Sequence, residues 1–141
     1  MKILSCGAGM QSTALALMSC ENKKEIKYKE VPVYDAIIFC DLGNEPKWVY
    51  QQVDFIKNAC ENAGIPFYIL DTHLYQDYLD NFGKHRVVSI PFWSVDENGK
   101  KGKMMRNCTL DYKINEIIKF VKYKLLGYVK YQRVKVEDLK A

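Results

Sequence analysis

Along the first seventy positions, short apolar runs alternate with stretches of helical periodicity. KILS (2–5) predicts a strand that stops at a cluster of small residues. STALALMSC (12–20) is mostly apolar and opens on two hydroxyl residues that suit a helix N-terminus. ENKKEIKYKEVP (21–32) is a charged connector closed by Pro32. VYDAIIFC (33–40) has the continuous apolar run of a strand buried in a parallel sheet. After the loop DLGNEP (41–46), Val49, Val53, Ile56 and Cys60 repeat at helical spacing, with Gly64 in place to cap the helix end. PFYIL (66–70) predicts a third strand.

This β-α-β-α-β order predicts an α/β fold with right-handed crossovers and a mainly parallel sheet. The pattern then loosens. THLYQDYLDNF (72–82) reads as a helix, VVSIPFWSV (87–95) as extended, and DENGK (96–100) as the tip of a hairpin. From about Cys108 a long helix is expected, because Ile114, Ile117, Val121 and Leu125 recur at helical spacing. GYVKYQRVKVEDLKA (127–141) is basic and short of core residues.

Composition narrows the class. A chain of 141 residues, 48% hydrophobic and 27% charged, fits one globular domain, residues 1–141. It has no apolar run near the roughly 18 residues of a membrane span, and its N-terminus does not read as a signal peptide, so a cytoplasmic protein with no membrane partner is expected. Five cysteines without a C-x-x-C pair argue against a disulfide framework or zinc finger; Cys20 and Cys60 read as packing residues. The net charge of +4 is uneven. Residues 1–99 hold 9 Lys+Arg and 13 Asp+Glu (−4), and residues 100–141 hold 12 and 4 (+8). A basic C-terminal third can attract phosphates or nucleic acid, or simply be a solvated helix face.

The chemistry concentrates where the first strand ends. Gly7, Ala8 and Gly9 followed by Ser12 and Thr13 place small residues and hydroxyls at a helix N-terminus, where unpaired N–H groups and the dipole attract anions. The same stretch could be a tight turn that needs positive φ. The triphosphatase P-loop G-x-x-x-x-G-K-S/T fails for want of a Lys before Ser12. The dinucleotide fingerprint G-x-G-x-x-G is nearly met by Gly7-Ala8-Gly9-Met10-Gln11-Ser12, with Asp41 as its ribose acid.

A third reading draws on three segments. Gly7-Ala8-Gly9-Met10-Gln11-Ser12-Thr13 resembles the S-G-G-x-D-S pyrophosphatase loop, or PP-loop, of the adenine nucleotide alpha hydrolases, with Gln11 in the Asp position. FCDLGNEPKWVYQQVDFI (39–56) and MRNCTLDYKINEIIKFV (105–121) resemble the F-x-D-T-G-x-E-x-P and R-x-C-T-x-x-Y-K-I segments of phosphoadenosine phosphosulfate reductase-like proteins. In this order they identify the chain as similar to that subgroup of the PP-loop superfamily, over most of residues 3–121.

The resemblance implies a three-layer α/β/α sandwich that binds ATP or a related adenine nucleotide at the carboxyl ends of its strands. It implies cleavage between the alpha and beta phosphates and adenylation of a second substrate, a nucleic acid or a small molecule. Ser5, Gly7, Ala8, Gly9, Gln11, Ser12 and Thr13 would cradle phosphate, with Asp41, Glu45 and Thr109 around the nucleotide. Asp41 would hold Mg²⁺ or, alternatively, cap the helix after Pro46. Arg106 and Lys113 would meet the leaving pyrophosphate, and Cys108 would serve as nucleophile or sulfur carrier. The E-C-G-x-H-type segment of the sulfonucleotide reductases is absent from the sequence, which argues against sulfate reduction. His73 and His85 lack metal-ligand spacing. Phe92 and Trp93 suit either a lid or hairpin packing. Relatives of this kind continue beyond the stretch equivalent to residues 127–141. A short or truncated member is therefore expected, or one completed by a second copy or a partner subunit. The rival functions are a non-catalytic nucleotide-binding module and an NAD-dependent oxidoreductase.

Overall fold

A computed structural model describes residues 1–81, 84, 93–103 and 109–135. Strands β1 (Ile3–Cys6), β2 (Ala36–Asp41) and β3 (Phe67–Asp71) form a small parallel sheet with β2 in the centre. Helices α1 (Met10–Lys24) and α2 (Lys47–Ala63) make the two crossovers. Leu4 pairs with Ile37 and Cys6 with Phe39, while Ile37 also pairs with Phe67, so alternate side chains line up across one face. Leu4, Cys6, Ile37 and Phe39 share a buried cluster with Ala16 and Cys20 of α1 and Val49, Val53, Ile56 and Cys60 of α2. Both helices therefore cover the same face, as right-handed crossovers between successive neighbours require.

The remaining β2 side chains point the other way. Cys40 Sγ lies 3.7 Å from the Lys113 carbonyl, and the Tyr68 and Phe120 rings meet at 4.9 Å. These contacts dock the C-terminal helix, whose middle is α4 (Asn115–Phe120) and whose two ends, Leu110–Ile114 and Val121–Leu125, widen into π-helical turns.

Element limits differ from the expected ones for identifiable reasons. The hydroxyls Ser12 and Thr13 do not open α1. Gly9 is the N-cap, and the Thr13 N–H returns to its carbonyl at 3.0 Å. At the other end α1 continues to Lys24, into the stretch that the charge pattern assigns to a connector. Buried Asn22 folds that connector back: Nδ2 donates to the carbonyls of Tyr28 and Val31, and Oδ1 accepts the N–H groups of Lys27 and Tyr28, all at 2.7–2.9 Å. The Tyr34 N–H is taken by Ser19 Oγ (2.9 Å), so the sheet ladder begins at Ala36 rather than Val33. Gly64 does close α2, at φ 70°.

α3 (Leu74–Asn81) follows β3. β4 (Trp93–Val95) and β5 (Lys101–Lys103) pair antiparallel around DENGK, where the Asp96 carboxylate accepts the Asn98 and Lys100 N–H groups. The expected hairpin is present, although most of the extended stretch 87–95 lies outside the described residues. No described helix is long and apolar enough to cross a membrane.

Candidate functional site

Because β1 and β2 run parallel, the loops that leave their carboxyl ends meet at one edge of the sheet. The first loop is Gly7-Ala8-Gly9. Its left-handed residue is Ala8, at φ 54° and buried, and not either glycine. Gly9 has φ −82°, and a Cβ built on Gly7 or Gly9 would find no atom within 4 Å. The tight turn with positive φ is therefore present, but Ala8 carries that φ, so it does not account for the two glycines. Their effect is to leave bare backbone facing open space at the start of α1. No side chain caps this helix and its first turn holds no acid, so the electropositive end is uncompensated.

Around the turn, Gly7, Gly9, Gln11 and Ser5 are exposed. Ser12 Oγ donates to the Gly9 carbonyl (3.2 Å), and buried Thr13 accepts Gln52 Nε2 at Oγ1 (3.3 Å), which ties the loop to α2.

The second loop is held from within. Asp41 Oδ1 accepts the Gly43 N–H (2.8 Å) and the Tyr50 hydroxyl (3.0 Å), and the Tyr50 oxygen accepts the Glu45 N–H (3.3 Å). The Asp41 carbonyl also accepts both the N–H and the hydroxyl of Thr72. Asp41 thus shapes its own loop and does not cap α2, where Pro46 occupies the cap position without a side-chain bond. The Glu45 N–H pulls the Tyr50 pKa down, but burial and the Asp41 carboxylate outweigh it and raise the phenol above its usual value.

Glu45 Oε1 reaches Lys113 Nζ at 4.0 Å, both side chains being partly covered. Lys113 is consequently drawn to the same edge, one turn into the C-terminal helix, and half-buried Thr109 stands at the start of that helix. Burial raises the neighbouring Cys40 thiol pKa, with Lys113 opposing it.

The structure thus brings residues 5–13, Asp41, Glu45 and Lys113 to one end of the sheet, with Thr109 one turn before Lys113. Arg106 and Cys108 lie outside the described residues, as do Phe92 and His85. His73 pairs with Asp71 (3.1 Å) in an exposed turn. Beside β3, Asp71, Asp77, Asp111 and Glu116 line an acidic cleft in which burial and the Asp77 hydrogen bond raise the Tyr112 pKa. Such a cleft repels phosphate, unlike the uncapped start of α1 with no acid in its first turn.

Magnesium needs only one or two carboxylates when phosphates supply its other ligands. Asp41 fits that requirement, with Oδ1 engaged in the loop and Oδ2 forming no hydrogen bond among the described residues. No three His, Cys, Asp or Glu side chains gather as a metal group among the described residues.

Sequence reasoning passed over Tyr50 and Gln52, the two α2 side chains that hold both loops. The available signal was a hydroxyl and an amide one turn into the helix behind the acidic loop. No known family model, curated protein or solved structure matches the chain.

Proposed function

We propose that the chain binds the phosphates of an adenine nucleotide, ATP or a close relative, over the Gly7–Thr13 turn and cleaves it between the alpha and beta phosphates. The observation that carries this reading is the pair of glycines that the fold does not require, next to an uncapped helix N-terminus. In this reading the C-terminal helix forms the third layer of an α/β/α sandwich around the parallel sheet.

The backbone N–H groups of the turn, with Ser12 and Thr13, orient the phosphates, and exposed Gln11 replaces the acid usual in such loops. A nucleophile of the second substrate, a nucleic-acid base or a small molecule, forms a bond to the alpha phosphorus. The bridging oxygen to the beta phosphorus departs with its electron pair on pyrophosphate. Lys113 stabilises that growing charge, joined by Arg106 of the R-x-C-T segment. Asp41 would hold Mg²⁺, which supplies charge neutralisation when bound. Glu45 positions Lys113, and Thr109 lines the phosphate side. Cys108 is the candidate sulfur carrier.

Gly9→Asp is the decisive variant. Aspartate is a good N-cap, has room for its side chain, and complements the dipole, so the thermal midpoint holds or rises. A carboxylate at the phosphate position lowers ATP affinity by at least about tenfold through like-charge repulsion. The readouts are ATP titration and pyrophosphate release with Mg²⁺. Undiminished ATP binding by Gly9→Asp, or none by the parent protein, sinks the proposal. Binding without pyrophosphate release reduces it to a nucleotide-binding module. Heat protection by NAD but not ATP would favour the dinucleotide reading.

A further inference from the structure

Beyond α4 the chain turns back. The Tyr128 N–H binds the Lys122 carbonyl at 3.0 Å, which returns the backbone to the end of the helix. A tight turn follows, in which the Gln132 N–H reaches the Val129 carbonyl (3.2 Å) and Gln132 Oε1 accepts the Val129 N–H (3.2 Å).

Tyr131 sits on that turn at φ 69°, a conformation unfavourable for a bulky side chain, yet the residue is 88% exposed. Backbone strain at a side chain that packs against so little has no return in stability and points to function. Lys130 Nζ lies 5.2 Å from the Tyr131 ring centre, so the turn presents a cation and an aromatic face together. The same pairing recurs at the helix end, where Lys122 Nζ lies 5.2 Å from the ring centre of partly exposed Tyr123.

Along the sequence, the stretch that carries these rings is basic. From Ile117 to Lys135 the sequence holds Lys119, Lys122, Lys124, Lys130, Arg133 and Lys135 and no acid. Among the described residues, none of Lys122, Lys124, Lys130 and Arg133 forms an ion pair. Lys119, Tyr123 and Lys124 also line a groove of about 370 Å³ against Ile69 and Leu70 of β3. Asp71 and Glu116 line it too, and Glu116 is already paired with Lys119.

We propose that this surface, from Lys119 to Arg133, binds single-stranded nucleic acid, with Tyr131 as a stacking platform for a base and the flanking lysines and arginine on the backbone phosphates. Cations interleaved with exposed aromatic rings are the means by which sequence-tolerant single-strand sites work, because every base has a π face. A small anion would need the charge but not the rings, and an apolar partner would need the rings but not the charge. The proposal does not depend on nucleotide binding at the Gly7–Thr13 turn, so either can fail alone.

The test is fluorescence anisotropy with a labelled 20-nucleotide oligo(dT), alongside ATP titration and thermal melting of the same samples. Binding is expected at 50 mM salt and weakens as salt rises. Tyr131→Gly suits the positive φ and removes the ring. Its melting temperature holds or rises, its ATP behaviour matches the parent, and its oligonucleotide affinity falls about tenfold. Tyr131→Phe retains binding. Lys130→Gln with Arg133→Gln lowers the salt slope by about 1.4, the single-strand value for two phosphate contacts. Absence of oligonucleotide binding by the parent protein overturns the proposal. So does equal binding by Tyr131→Gly, or adherence to phosphatidylserine vesicles in place of the oligonucleotide.

Discussion

In the half built from β1, α1, β2 and α2, side chains disappear into one cluster: β2 is covered from Ala36 to Cys40, and α2 contributes Val49, Val53, Ile56 and Cys60. Between Leu110 and Leu125 no side chain is fully buried, and Leu110, Ile114 and Ile118 stand 52%, 44% and 56% exposed. The second region rests on the first through few contacts, Cys40 to Lys113 and Tyr68 to Phe120 among them. Packing fixes the first region's geometry. The less packed second region has widened π turns at both ends of its helix, a feature often found near functional sites. The contrast assigns stability to one region and makes the charged side chains of the other available for binding.

The largest expected effect tests that assignment directly. Phe39→Ala empties a fully buried position at the centre of the cluster and costs about 3–5 kcal/mol, a large share of a small domain's stability. Ile118→Ala, on the exposed helix face, stays within about 0.5 kcal/mol. Urea unfolding of both variants checks the pair. Equal losses would show that the C-terminal helix belongs to the same cooperative core.

The same contrast explains what the sequence disclosed. Continuous AIIF and the α2 periodicity identified β2 and α2 because both record burial, which is a local property of a pattern. The spacing of Ile114, Ile117, Val121 and Leu125 predicted a helix correctly, but not how far that stripe is covered: Ile117, Val121 and Leu125 are half-buried and Ile114 is exposed. Periodicity cannot tell a covered face from a solvated one. The glycine turn was located by motif, yet only geometry showed that Ala8 takes the left-handed position and that the glycines lie in open space. Tyr50, Gln52 and Asn22 stayed hidden because a polar residue's partners lie across the fold, out of reach of any linear pattern.

Asn22 sharpens the comparison from the polar side. It is one of few buried polar residues in the packed half, and its amide makes four hydrogen bonds to the connector backbone. Asn22→Ala strands two carbonyls and two N–H groups, and although water reaches some of them the expected cost is about 2 kcal/mol. Alanine's better helix propensity offsets only about 0.7 kcal/mol of that. Urea unfolding gives the loss, and amide exchange locates it. Faster exchange at Lys27 and Tyr28, with Ile37 and Phe39 still protected, is the expected signature of a connector released from an intact core. Loss of protection throughout would place Asn22 within the core's own cooperativity.

The last predicted effect is a slope rather than a loss. Cys60 is fully buried, and Cys20 Sγ lies 3.7 Å from its sulfur. Burial, and then the Cys20 thiol beside it, push the Cys60 pKa from its ordinary 9.0 up to about 12. Below pH 9 both the folded and unfolded chains keep this proton, so stability does not depend on it. Between about pH 9 and 12 the unfolded chain releases the proton while the folded one retains it, so stability falls as pH rises. Burial raises the Cys20 pKa as well, which adds a change of the same sign. The urea midpoint of the parent protein should therefore decline faster from pH 9 to 11 than that of Cys60→Ala, whatever their difference at pH 7. Parallel declines would mean that Cys60 exchanges its proton as readily in the folded chain as in the unfolded one. Such a result would place water inside the α1–α2 contact and remove the ground for setting this half apart as the sealed one.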